Sequence, residues 1–72
     1  MNLPDLKAHI GGRVKTLRQD KGWTQKYLGQ LTDSTEAYIC EVEAGKRNPA
    51  IKKLHRMAEE LGAELRIEIE LK

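Results

Sequence analysis

The chain has 72 residues, of which 39% are hydrophobic and 4% aromatic, with no Phe and one Trp. That describes one small domain with a thin helical core, too shallow for a deep enzyme cavity, and a core of this size supplies only about 3–5 kcal/mol without a staple or a partner chain. Charged residues make up 33%, balanced at 13 basic and 11 acidic, which argues against disorder by self-repulsion, and the lone Cys40 excludes an internal disulfide and the common cysteine-rich zinc sites.

Leu6, Ile10, Val14 and Leu17 recur at helical spacing in the first segment. Pro4 and Asp5 open it, a first-turn proline beside an acid at the positive helix end. Gly11 and Gly12 each weaken a helix interior by about 1 kcal/mol relative to Ala, so the helix either bends there or begins near Gly12. Lys21-Gly22 reads as its stop. Thr24 is a good N-cap for a short second helix from Gln25 to about Leu31, with Tyr27, Leu28 and Leu31 directed inward. Thr32-Asp33-Ser34-Thr35 is a run of turn formers, and Thr35 caps a third helix from Glu36 to Ala44 with Ile39 and Val42 inward. Gly45 ends that helix. Pro49 starts a fourth, whose buried stripe is Ile51, Leu54, Met57, Ala58 and Leu61, and Gly62 stops it.

The last nine residues follow a different period. From Glu64 to Lys72 polar and apolar residues alternate, which puts Leu65, Ile67, Ile69 and Leu71 on one face of a strand. No other stretch reads as a strand, and a lone strand leaves its backbone groups unpaired along both edges. The economical solution is a second copy of the chain pairing antiparallel across a two-fold axis. The expected organisation is therefore a helical domain over residues 1–63 and a dimerisation strand over 64–72. Charge divides in nearly the same place: residues 1–56 carry a net +5 and residues 57–72 a net −3. A basic body and an acidic tail suit different partners, the body a polyanion and the tail a surface that is not one.

The words Ile10-Gly11-Gly12-Arg13-Val14-Lys15-Thr16-Leu17-Arg18, Gly22-Trp23-Thr24-Gln25 with Leu28, Ile39, Val42-Glu43-Ala44-Gly45-Lys46, Asn48-Pro49, and Leu54 through Leu61-Gly62 occur in a set order. In that order the chain resembles the Cro/cI-type helix-turn-helix family, also called the xenobiotic-response-element type. The resemblance implies a mainly α fold of four to five helices, here followed by one C-terminal strand like that of some antitoxins. It implies a DNA-binding regulator, a repressor, acting as a homodimer on a two-fold operator.

Carried over residue by residue, the resemblance makes the third helix the reading helix, with Thr35, Glu36, Ala37, Cys40 and Glu41 facing the groove. Thr35 serves either as cap or as phosphate contact. Ala37 suits a thymine methyl, and Glu36 or Glu41 suits cytosine N4, although Glu36 equally suits the helix end as a first-turn acid. Two acids without Arg, Lys, Gln or Asn on that face depart from the family pattern, so readout falls to few contacts, to DNA shape, or to Tyr38 and flanking basic residues; alternatively the helix reads a protein. Thr24 and Gln25 start the second helix, where a family Gln bonds a backbone phosphate, and Lys26 flanks the duplex. Gly45 is expected at positive φ, laying Lys46, Arg47 and Asn48 along the sugar–phosphate backbone. Arg13, Lys15, Lys52 and Lys53 are weaker candidates. Arg18 and Glu43 match a family pair that bridges the first helix to the end of the third, a two-pronged bond with a structural role. The turn departs again: Asp33 and Ser34 stand where the family places Gly and an aliphatic residue, which leaves Leu31 to cover the gap.

His9 and His55 stand apart from any acid–cysteine spacing that would build a nucleophile or a metal site, and Cys40 has acidic neighbours that disfavour a thiolate. The expectation is no enzyme, no cofactor and no metal. Trp23 is expected in the core between the first two helices. With no basic-then-apolar leader and no long apolar run, neither secretion nor a membrane span is expected, and the place of action is cytoplasmic, on the nucleoid when bound to DNA. Partners implied are double-stranded DNA, a second copy through Leu65, Ile67, Ile69 and Leu71, and, by the antitoxin likeness, a toxin protein. A protein-interaction module without DNA is the alternative of a different class.

Overall fold

The computed structural model describes residues 2–67. Among them are four helices: α1 (Leu3–Asp20), α2 (Gln25–Leu31), α3 (Glu36–Glu43) and α4 (Ile51–Glu60). α1 runs unbroken through Gly11 and Gly12. Asn2 caps it, its side chain accepting from the Asp5 amide at 3.0 Å. Thr24 and Thr35 cap α2 and α3 in the same way, accepting from the amides of Tyr27 and Tyr38 at 3.0 Å each. α4 begins at Ile51 rather than at Pro49, and its N-cap Ala50 offers no side-chain acceptor.

Val14, Leu28, Ile39, Val42, Leu54, Met57 and Leu61 form the core, with Ile10, Leu17, Trp23, Tyr38 and Leu65 packed around it. Leu28, Ile39, Val42 and Met57 are wholly enclosed, each worth roughly 1.5–3 kcal/mol of burial. α3 lies against both α1 and α2, and α2 touches α4, so the short third helix is held from two sides.

Two residues expected inside face solvent. Tyr27 is 44% exposed and sets its ring edge-on to Trp23, 5.1 Å between centroids, on the flank of α2. Ile51 is 65% exposed at the start of α4, whereas Pro49, just ahead of the helix, is buried. Leu6, at the outer end of α1, is also exposed. Glu64–Ile67 of the expected strand carry no strand in the single chain, whose described residues offer no edge for them to pair with. The rest of that strand, including Ile69 and Leu71, lies outside the described residues. Leu65 packs on the core, while Ile67 is exposed. Among the described residues no helix is long and apolar enough to cross a membrane.

Candidate nucleic-acid interface

All four helices close on the same device, in which the residue after the cap takes positive φ and the next amide reaches back over the last turn. After α3 that residue is Gly45, at φ 72°, with the Gly45 amide donating to Val42 O at 3.1 Å and the Lys46 amide to Glu41 O at 2.9 Å. A side chain at Gly45 would also press on α1, since a Cβ there would stand 3.1 Å from the Ala8 Cα. After α2 the position falls to Asp33, at φ 53°, and the Ser34 amide donates to Gly29 O at 2.8 Å. Asp occupies left-handed geometry with less strain than most residues, so the turn keeps its shape without the family's glycine.

The missing aliphatic plug is replaced by polar satisfaction. Thr32 is buried and its hydroxyl donates to Leu28 O at 2.8 Å. Lys53, from α4, reaches over and donates from Nζ to Thr32 O at 2.8 Å and to Asp33 O. Leu31 is half-buried beside them. The lysine counted among possible phosphate contacts thus closes the turn.

Two glycines set how closely the helices approach. At Gly11 a Cβ would run into the Val42 carbonyl oxygen, and at Gly29 it would stand 2.7 Å from Ser34 O. The first lets α1 lie on the backbone at the end of α3, and the second lets α2 lie on the start of α3. Sequence alone marks Gly11 as a helix-weakening residue and gives no signal for Gly29.

A buried ionic hub holds the far end of α3. Arg18 donates from Nε to Glu43 Oε2 at 2.7 Å, from Nη2 to Glu43 Oε1 at 3.0 Å, and from Nη1 to Trp23 O at 2.6 Å. The hydrogen bond to Glu43 raises the Arg18 pKa above its ordinary value, outweighing the burial that opposes it. Gln25 joins the hub, its Nε2 donating to Glu43 Oε1 at 3.1 Å. One donor of the amide expected on a phosphate is therefore spent inside the fold. What remains of Gln25 toward solvent is its second N–H and the amide oxygen, which accepts and so cannot bond a phosphate oxygen.

With its inner side fixed, α3 presents Thr35, Glu36, Ala37 and Cys40 on an exposed face, with half-buried Glu41 and Tyr38 along one border. Thr24 and Lys26 are exposed at the start of α2, and Lys46, Arg47 and Asn48 are exposed just past α3. Arg47 Nε donates to Glu41 Oε2 at 2.9 Å, and its guanidinium lies 4.8 Å from the centroid of the Tyr38 ring. Trp23 is half-buried, with Lys21 5.2 Å from its ring centroid, so it belongs to the core margin between α1 and α2. The Arg47 cluster closes across the Gly45 turn and the Lys53 clamp joins α4 to the α2–α3 turn, and periodicity carries no signal for either.

Residues 14–67 match the helix-turn-helix family profile. The HTH-type transcriptional regulator y4dJ of Sinorhizobium fredii is 31% identical over 58 residues, 81% of this chain and 75% of that protein. Control protein C.MunI of Mycoplasma sp is 31% identical over 62 residues, 85% of this chain and 84% of that one. The immunity repressor protein of Bacillus phage phi105 is 27% identical over 56 residues, 78% of this chain but only 39% of the repressor. Among solved structures, the clp gene regulator ClgR from Corynebacterium glutamicum superposes with a TM-score of 0.80 at 27% identity, covering 82% of this chain and 63% of ClgR. The profile match, the capped α2–turn–α3 unit and the Arg18–Glu43 bridge agree: this chain belongs to the Cro/cI-type helix-turn-helix family of DNA-binding transcriptional regulators.

Proposed function

We propose that the chain is a repressor that binds a near-palindromic operator as a homodimer, with α3 of each copy in the major groove. The observation that carries this reading is that α3 is anchored on its inner side by Ile39, Val42 and Glu43 while Thr35, Glu36, Ala37 and Cys40 stay exposed. Two such helices related by a dyad meet successive major grooves about 34 Å apart. Ala37 takes a thymine methyl and Glu36 accepts from cytosine N4. Thr24, Gln25 and Lys26 at the start of α2, and Lys46, Arg47 and Asn48 beyond α3, take phosphates. The names of the phage immunity repressor and of control protein C.MunI support a regulatory role of this kind.

The helical domain of residues 1–63 reads DNA, and residues 64–72 join the two copies through Leu65, Ile67, Ile69 and Leu71. Strict alternation supports this pairing, as does the exposure of Ile67. Affinity comes chiefly from Lys and Arg neutralising phosphates, so it falls steeply with salt. Selection from a pool of random duplexes at two salt concentrations tests the proposal. Enrichment of a palindrome that weakens at the higher salt is expected. No retention at low salt refutes DNA binding and leaves the acidic α3 face to a protein partner.

A further inference from the structure

The outer side of α3 carries two acids, Glu36 and Glu41, and a carboxylate turned toward a duplex is repelled by its phosphates. Glu41, however, is not bare. Arg47 Nε bonds its Oε2 at 2.9 Å, and the same guanidinium lies over the Tyr38 ring. Tyr38 and Glu41 stand three residues apart, hence on one side of α3. The Gly45 turn reverses the chain after α3 and brings Arg47 back alongside them. The two side chains are 47% and 45% exposed, and an ion pair so open contributes little to folding. The bond to Glu41 uses only Nε, so the N–H donors on the two Nη groups make no hydrogen bond to that carboxylate.

We propose that Glu41 is a positioning residue rather than a reader of bases. Together with the Tyr38 ring it holds the Arg47 guanidinium at the border of α3, where the Nη donors take a backbone phosphate at the groove edge. The acid that looked incompatible with DNA thereby presents a cation to it. This assignment rests on the DNA-binding reading above and concerns only how one side of α3 is used.

The test turns on a sign. The duplex enriched by the wild-type chain is titrated with wild type, Glu41→Gln, Arg47→Gln and the double variant across a range of KCl. Arg47→Gln weakens binding and lowers the slope of log affinity against log salt by about 0.9, one phosphate contact. Glu41→Gln removes a negative charge, yet weakens binding several-fold because Arg47 loses its support. In the Arg47→Gln background the same change no longer weakens binding. Melting temperatures stay together, so a structural defect does not account for the difference. Tighter binding by Glu41→Gln, or an equal effect in both backgrounds, overturns the assignment while DNA binding stands. A changed base preference at one position in both backgrounds overturns it in favour of direct reading. Failure of the wild-type chain to retain any duplex refutes the DNA-binding reading and this assignment with it.

Discussion

Glu43→Ala is expected to remove most of the stability of this domain. The Arg18 and Glu43 side chains are 10% and 3% exposed, so the pair is desolvated and solvent screening does little to soften its loss. The substitution deletes both Arg18–Glu43 bonds and the Gln25–Glu43 bond, leaving a buried guanidinium with Trp23 O as its remaining acceptor. Breaking a buried pair from one side costs about 3–5 kcal/mol, mostly through the uncompensated charge. A single core of this size supplies about the same amount, so the variant should be largely unfolded at 25 °C. Glu43→Gln retains the shape and loses the charge, and should cost about 1.5–3 kcal/mol. Replacing both partners, Arg18→Met with Glu43→Leu, removes the orphaned charge and should recover most of the loss. Urea unfolding followed by Trp23 fluorescence and by far-ultraviolet circular dichroism measures all three, since Trp23 is the sole tryptophan and sits beside the hub. A loss below about 1 kcal/mol for Glu43→Ala, or a double variant as unstable as the single one, would refute the claim that a desolvated charge pair anchors α3.

The paired glycines of α1 should respond with opposite signs. Gly12→Ala meets no atom within 4 Å and should stabilise by about 1 kcal/mol through helix propensity, whereas Gly11→Ala drives a Cβ into the Val42 carbonyl and should cost about 1–3 kcal/mol; stabilisation by both in thermal melts would remove the close approach from the account. Asp33→Gly relieves left-handed strain at φ 53° and should raise stability by about 0.5–1 kcal/mol in urea titrations, an outcome that fails if Gly proves neutral or worse. Lys53→Met leaves the Thr32 and Asp33 carbonyls without their α4 donor, and faster amide hydrogen exchange at Thr32–Thr35 with α1 unchanged is the expected signature. Deleting residues 64–72, or Ile67→Pro, should give monomers by sedimentation and much weaker operator binding; dimers that survive either change would move the interface onto the helices.

Cap and stop chemistry acts over three or four residues, which is why Thr24, Thr35, Gly22, Gly45 and Gly62 marked the helix ends correctly from the chain alone. The core stripe from Leu54 to Leu61 was legible for the same reason, since helical period reports which residues share a side. Period does not report what stands opposite that side. Ile51 and Tyr27 were assigned inward on spacing, yet Ile51 stands exposed at the first turn of α4, and Tyr27 rests on the flank of α2 against Trp23. Arg18 and Glu43 were legible only through the family's spacing, whereas the capture of Gln25 by Glu43, of Glu41 by Arg47 and of the turn by Lys53 required the fold. Local propensities reside in the chain and can be read along it. The partner of a long polar side chain, and the space left for a glycine, exist only after the helices have docked, because docking alone decides which distant groups come within 3 Å of one another and which backbones touch.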